Sequence, residues 1–304
     1  MSFMQEKLPQ LKISEKIREI NFQGLRIGGD ASVPFMQEND STSKPLLALE
    51  LPFFYEENFP LILKKQYGEN YEITDAVKKA ESLPNDLLSI RFNIREDQID
   101  KDFAEINDKL DEIFEITKKP LILRGKNNND IDKKLLPLLA KRATRQCIIS
   151  FVEDTSYEDI LPSLIENNHI TVIRTPIDIN LAKEMNILTT DKGLDTNKII
   201  IDPDMGGLGY GLDYGFSIIE KLKQVGLSGD KMLNMPIIVF IGEESYKAKE
   251  AKSTQYSKAW GEYDKRAIMW ELAGASAVIA AGANIVVLWS EKSLLTLKGV
   301  IGWN

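Results

Sequence analysis

The stretch IDPDMGGLGYGLDYG, from Ile201 to Gly215, holds five glycines in fifteen residues, with Asp202 near its start. Glycine loses more backbone freedom on folding than any other residue, so such density is costly to order. It marks a phosphate cradle, a cofactor floor or a tight turn. Spacing argues against the first. Gly207-Leu-Gly209-Tyr-Gly211 is not G-x-G-x-x-G, because Leu212 stands where the last glycine belongs, and no G-K-[ST] is present. What remains is a loop of Gly206, Gly207 and Gly209 whose backbone can lie flush against a broad surface. Leu208 and Tyr210 are its central bulky side chains. The alternative is a turn packed on the next helix.

Other reactive residue types are scarce. The single cysteine, Cys147, lies in the apolar run CIISFVE and reads as a buried thiol. It cannot supply the several thiolates of an iron–sulfur cluster or form an internal disulfide. The single histidine, His169, begins HITVIRTP, the wrong end of a strand for chemistry in the fold below, and one histidine excludes His-paired zinc sites. Glu243 and Glu244 in GEESYKAKEAK are a carboxylate pair. With Lys247 four residues on from Glu243, they read as a solvated helix start rather than an acid–base pair. No dense aspartate cluster has calcium-loop spacing.

Eight short runs of the chain are rich in Ile, Val and Leu. They are LLALELP, LLSIRFN, PLILRG, CIISFVE, HITVIRTP, KIIIDPD, PIIVFIGE and NIVVLWS. Strands buried on both faces read this way. Between them lie helical patterns. The clearest is KDFAEINDKLDEIFEI, with Phe103, Ile106, Leu110, Ile113 and Phe114 on one face. Alternation of this kind predicts right-handed βαβ units and a TIM (β/α)8 barrel, with a doubly wound open sheet as the alternative. The barrel is expected over residues 46–304. Residues 1–45 are expected to form a hairpin-like N-terminal extension, since LRIGGDASVPF reads as a strand with a Gly-Gly turn.

The active end of such a barrel is the set of loops after the strands. There the sequence places Glu50, Arg91, Asn93, Arg124, Glu153, Asp154, Arg174, Asp178, Asn180, Asp202, Glu243, Glu244 and Ser290. Helix caps account for some of them. Asp178, Asn180 and Asp202 flank the two most unusual loops and are the favoured binding residues. Composition narrows the partners. A formal charge of −8 argues against nucleic acid. No apolar run reaches the length of a membrane span, and MSFMQEKLPQ has no signal-peptide core, so a cytoplasmic location is expected.

Five stretches together carry a family resemblance: RIGGDASVPF, RTPIDINLAKEMNIL, IIIDPDMGGLGYGLDYGFSIIEKLK, GDKMLNMPIIVFIGEESYKAKEAK and RAIMWELAGASAVIAAGANIVVL. They resemble the small (delta) subunit of the corrinoid iron–sulfur protein of the CO dehydrogenase/acetyl-CoA synthase system. The similarity is dense over residues 170–288 and again over 26–36, and thin over 50–165. The resemblance implies a TIM barrel paired with a large (gamma) subunit that holds the four-cysteine cluster and the corrinoid-binding domain. The corrinoid (cobalamin) would be shared between the subunits, with no cluster on this chain. It would carry a methyl group from methyltetrahydrofolate, or a pterin analogue, to acetyl-CoA synthase in the reductive acetyl-CoA (Wood–Ljungdahl) pathway. A methyltransferase and acetyl-CoA synthase would be transient partners. On this reading Asp178, Asn180, Asp202, Gly206, Gly207, Gly209 and Tyr210 contact the corrinoid, and the chain contributes neither a catalytic residue nor a metal ligand. The chain lacks the D-x-H-x-x-G cobalamin motif, which suits a subunit covering a corrinoid held elsewhere. Two other classes compete: a free-standing pterin-dependent methyltransferase using Asp178, Asn180 and Asp202 to bind the pterin, and a structural partner out of contact with the corrinoid.

Overall fold

Side chains alternate across a strand, so in a closed barrel one set meets the helices and the other fills the interior. The chain builds such a barrel. A computed structural model describes residues 12–34, 43–205 and 211–300. Its parallel strands are β3 (Leu46–Pro52), β4 (Leu87–Arg91), β5 (Leu121–Arg124), β6 (Ile148–Val152), β7 (Ile170–Arg174), β8 (Ile199–Asp202), β9 (Ile238–Val239) and β10 (Ile285–Leu288). They pair in the order β8-β7-β6-β5-β4-β3-β10-β9. A parallel bridge from Ile201 to Ile237, with Ile201 N–H donating to Pro236 O (2.9 Å), brings β8 back to β9. The eight apolar runs are these eight strands, and the ring they form is a TIM barrel.

One run is shorter than its sequence suggests. PIIVFIGE forms a regular strand only at Ile238 and Val239, with the Ile237 bridge before it, because α8 (Ile241–Lys247) starts almost at once. Gly242 explains how the helix fits there: a Cβ on it would lie 2.6 Å from the Trp289 nitrogen and 3.0 Å from Glu271 Oε1. The outer layer comprises α1 (Leu61–Tyr67), α2 (Ile73–Glu81), α3 (Ile99–Ile116), α4 (Asn129–Arg142), α5 (Tyr157–Glu166), α6 (Ile179–Asp191), α7 (Leu212–Leu227), α8, α9 (Lys249–Lys252), α10 (Tyr263–Ala281) and α11 (Glu291–Val300). In α3 the predicted stripe buries Ile106, Leu110, Ile113 and Phe114, with Phe103 packed partly against the same core.

The lower interior, at the strands' N-terminal ends, is apolar. Ala48, Leu87, Ile122, Ile148, Ile170, Ile200, Ile238 and Ile285 meet there. An antiparallel hairpin, β1 (Glu19–Phe22) and β2 (Leu25–Gly28), closes it from below by inserting Ile20, Phe22 and Ile27 into the same cluster. Its turn, Gln23–Gly24, has φ of +49° and +85°, the mirror-image geometry that matches strand twist. Each inserted side chain is worth about 1.5–3 kcal/mol of burial. Just beyond β2, the buried Asp30 carboxylate accepts from Lys223 Nζ of α7 (2.6 Å), Asn284 Nδ2 ahead of β10 (2.7 Å) and the Ser43 hydroxyl (2.7 Å).

Candidate functional site

Above the apolar layer the interior changes character. The inward positions at the strands' C-terminal ends carry Glu50 and Ser89, then Arg91, Arg124, Arg174 and Asp202, with Phe151, Phe240 and Trp289 between them. Each strand end delivers its residue because alternation fixes which side chains turn inward.

Arg124 is the centre. Fully buried, it donates from Nη1 to Glu50 Oε1 (2.6 Å) and from Nη2 to Glu243 at the start of α8. Its guanidinium also lies 5.0 Å and 4.9 Å from the ring centres of Phe151 and Phe240. Glu50 accepts further from Trp289 Nε1 (2.8 Å) and the Ser89 hydroxyl (2.8 Å). Arg91 stacks 4.7 Å from the Trp289 ring and pairs with Glu56 (2.8 Å). Burial disfavours a charge on Glu243, yet Arg124, with Lys247 and Arg91, holds its carboxyl well below the usual range.

A second pair lies across the Phe151 ring. Arg174 Nε donates to Asp202 Oδ2 (3.0 Å) and Arg174 Nη1 to Asn127 Oδ1 (2.8 Å), with the guanidinium 3.3 Å from the Phe151 ring centre. Asp202 Oδ1 accepts the Asp204 N–H (3.1 Å). Burial pushes the Asp202 carboxyl up to about 6, even with Arg174 beside it. Glu153 at the end of β6 is raised as well, by burial.

The residues singled out in the sequence separate into three groups. Asp202 belongs to the buried network. Asp178 and Asn180 are exposed on the rim, where Asp178 is the N-cap of α6: its Oδ1 accepts from Asn180 N (2.8 Å) and Leu181 N (3.2 Å). Gly206, Gly207, Gly209 and Tyr210 lie outside the described residues. Asp178 and Asp202 are therefore not one cluster, since one caps a helix in solvent and the other anchors an arginine inside the barrel.

The expectation for Glu243 needs correction. Its helical partner is present, Lys247 Nζ at 3.0 Å, but the carboxylate is turned into the barrel and is not solvated. His169 and Cys147 sit at the strands' N-terminal end. His169 Nδ1 accepts the Cys147 N–H (3.0 Å) and its Nε2 faces Ala140 O (2.9 Å), while burial pushes the Cys147 thiol up to about 12. Neither approaches the upper interior.

Sequence reasoning missed Glu271. It lies buried mid-way along α10, where it accepts the N–H groups of Trp289 (2.6 Å) and Ser290 (3.3 Å) and so fixes the loop that aims Trp289 at Glu50. Burial raises it to about 7. The available signal was a lone carboxylate in RAIMWELAGASAVIAAG, a helix otherwise nearly free of charge. Phe151 and Phe240 were missed as well, being read only as strand residues.

Chemically, this is a filled barrel centre in which arginines and carboxylates neutralise one another around aromatic rings. Among the described residues, no group of three or more His, Cys, Asp or Glu side chains is placed to hold a metal ion. None of their helices is long and apolar enough to cross a membrane.

Comparison with known proteins agrees with the resemblance read from the motifs. Residues 29–295 match the family described as CO dehydrogenase/acetyl-CoA synthase delta subunit. The acetyl-CoA decarbonylase/synthase complex subunit delta of Methanopyrus kandleri is 27% identical over 192 residues, covering 62% of this chain and 47% of that protein. Its counterpart in Methanocaldococcus jannaschii is 24% identical over 307 residues, covering 96% and 75%, respectively. That of Archaeoglobus fulgidus is 26% identical, covering 90% and 63%. The chain thus spans between about half and three-quarters of the length of these curated relatives. Among solved structures, a dihydropteroate synthase from Yersinia pestis in a sulfonamide drug complex superposes with a TM-score of 0.60 at 11% identity, over 93% of this chain and 97% of that one. A dihydropteroate synthase from Xanthomonas albilineans, in complex with indole-2-carboxylic acid and 6-chloroguanine, gives 0.59 at 11%, over 94% and 97%. At that identity the likeness is one of fold, the TIM barrel. With most of its length matched by one family, the chain belongs to the delta subunits of the CO dehydrogenase/acetyl-CoA synthase complex.

Proposed function

We propose that this chain is the small subunit of a corrinoid iron–sulfur protein, and that the strand-end face of its barrel covers a corrinoid held by a larger (gamma) subunit. The observation that carries this reading is the filled barrel centre. With Arg124 held between Glu50 and Glu243, and Arg174 lying over Phe151, these interior side chains among the described residues are engaged with one another, which leaves the rim as the surface a ligand meets. Family membership supports the same reading from the sequence side.

The rim suits a large ligand fringed with amides. Asp178 and Asn180 are exposed at the start of α6, where a carboxylate accepts and an amide both donates and accepts hydrogen bonds. Asp202 is buried beneath Arg174 and acts through it as a positioning residue rather than as a direct contact. Gly206, Gly207, Gly209 and Tyr210 complete the proposed contact set, with glycine letting the backbone approach a flat ring closely. A bound corrinoid supplies the cobalt that accepts and releases a methyl group. This chain contributes cover, orientation and exclusion of water. The methyl donor is methyltetrahydrofolate or a pterin analogue, and a methyltransferase and acetyl-CoA synthase are the transient partners.

The test is the absorption spectrum of the tagged chain recovered anaerobically from its native host. Corrinoid bands and an equimolar, larger, cysteine-rich polypeptide are expected. A colourless chain recovered alone overturns the proposal and favours a free-standing methyltransferase. Within the complex, Gly207→Trp or Gly209→Trp is expected to lower corrinoid retention, and unchanged retention refutes the glycine-loop contact.

A further inference from the structure

On the strand-end side of the barrel, the loop that joins α9 to α10 carries a large exposed aromatic. Trp260 ends a short 3-10 turn (Lys258–Trp260) and is 53% exposed. Single exposed apolar residues are ordinary on a protein surface. This one differs in how it is held. The buried Arg266, in the first turn of α10, donates to three carbonyls of the loop: Nε to Glu250 O (2.8 Å), Nη1 to Gly261 O (3.1 Å) and Nη2 to Ser253 O (2.5 Å). Its guanidinium also lies 4.8 Å from the Tyr256 ring centre, and Tyr256 meets Trp260 edge to face at 5.7 Å. One cation thus ties both ends of the loop, so Trp260 is presented with little freedom left to lose on contact.

Around Trp260 the apolar surface extends and the charge is one-sided. The Tyr263 hydroxyl accepts the Ile62 N–H (3.3 Å) and Asp264 pairs with Lys65 (2.9 Å), which brings the exposed Leu61 at the start of α1 to the same rim. Lys265 and Met269, one turn apart on α10, are both exposed. Lys249, Lys252 and Lys265 are exposed and have no carboxylate partner among the described residues. Over the same stretch Glu250 is engaged by Tyr256, and Glu262 is the exposed carboxylate that opposes them. A chain of net charge −8 therefore has a cationic rim around an aromatic knob here. Its complement is an apolar recess ringed by carboxylates. Burying the ring supplies affinity, while the charges steer and orient the encounter.

We propose that Trp260, Tyr256 and Leu61, with Lys249, Lys252 and Lys265, form a docking surface for an acidic face of a second protein, the larger subunit of the complex. The identity of that partner rests on the subunit reading above, because this loop stands on the same strand-end face. The chemistry of the contact rests on the loop itself.

The experiment dilutes the purified complex of tagged chain and larger subunit and follows its dissociation by mass photometry. Trp260→Ala is expected to raise the dissociation midpoint ~30-fold or more, and Trp260→Phe, which keeps a ring, to raise it far less. Lys249→Glu, Lys252→Glu and Lys265→Glu together are expected to weaken the complex at low salt, with the difference from wild type shrinking at high salt. A carbodiimide, which joins an amine to a carboxylate in direct contact, is expected to link these lysines to Asp or Glu side chains of the larger subunit. An unchanged midpoint for Trp260→Ala overturns the proposal. A loss in that variant without any lysine cross-link overturns the acidic-partner assignment. If the complex ignores Trp260→Ala while phosphatidylglycerol vesicles blue-shift the emission of wild type but not of Trp260→Phe, the rim belongs to a lipid surface instead. Recovery of the chain with no larger subunit overturns the subunit reading and this one with it, whereas a complex indifferent to Trp260 overturns this one alone.

Discussion

Replacing Arg124 with methionine tests the barrel centre most directly. The substitution keeps an apolar stem but removes the charge facing Glu50 and Glu243. Glu50 is almost wholly buried and Glu243 has a side-chain exposure of 15%, so water cannot replace the lost partner. Breaking a buried pair from one side costs about 3–5 kcal/mol. The lost contacts to Phe151 and Phe240 add roughly 1 kcal/mol each. At an unfolding entropy of about 2.1 cal/mol/K per residue, the loss of the pair alone lowers Tm by about 5–8 °C in a chain of this size. The loss also depends on pH in a known direction. In wild type the Glu243 carboxyl is depressed, so its stabilisation is present above the unfolded value of 4.5 and fades as pH falls through the lower folded value. Without Arg124, burial of Glu243 is opposed only by Lys247 and Arg91, so its carboxyl rises and acid relieves the variant. The stability gap is therefore expected to narrow from pH 7 to pH 4. The triple variant R124M/E50Q/E243Q is expected to regain most of the loss, because a neutral replacement of a buried network is close to isoenergetic. Calorimetry of the three proteins across pH decides the matter. A Tm shift below about 2 °C for R124M, or a gap constant with pH, refutes the claim that the centre is a desolvated ion network.

Two further outcomes concern elements away from the mouth. Glu271, raised by burial from 4.5 to about 7, gives wild type a stability that is present below pH 4.5 and lost as pH rises through 7. Glu271→Gln removes that loss while keeping an oxygen to accept the Trp289 N–H, so its stability relative to wild type is expected to grow by about 2–3 kcal/mol between pH 4.5 and 8, measured by urea unfolding. Phe22→Ala in the lower hairpin is expected to cost about 3–5 kcal/mol with little change at the mouth. A near-neutral Phe22→Ala shows that the hairpin only rests on the barrel.

The barrel was legible because its strands are buried on both faces, which writes them as unbroken runs of Ile, Val and Leu. The exception, PIIVFIGE, is instructive: apolarity alone does not say where a strand gives way to a buried helix, and Gly242 is what permits the change. The site was legible as a set of residues but not as a set of bonds. Glu50, Arg91, Arg124, Arg174, Asp202 and Glu243 were all identified at strand ends. Their pairings span 74 residues for Arg124 with Glu50 and 119 for Arg124 with Glu243. Such partners are set by closure of the ring, which no local pattern encodes. Local rules instead found the Glu243–Lys247 helical pair, which is real but secondary. Asp178 shows the converse: it was singled out for flanking an unusual loop, and the structure adds a local role for its carboxylate as the cap of α6.

Asp30 has a consequence for how the chain is made. It shares its carboxylate with Asn284, 254 residues downstream. At a synthesis rate of ~5–20 residues per second, roughly 13–50 s separate the emergence of the two. Through that interval the hairpin's Ile20, Phe22 and Ile27 have no completed floor to enter, since β10 supplies part of it. The nascent chain thus carries a sticky apolar tip until its last strand arrives. The Asp30–Asn284 bond therefore ties the first described hairpin to the entry of the last strand.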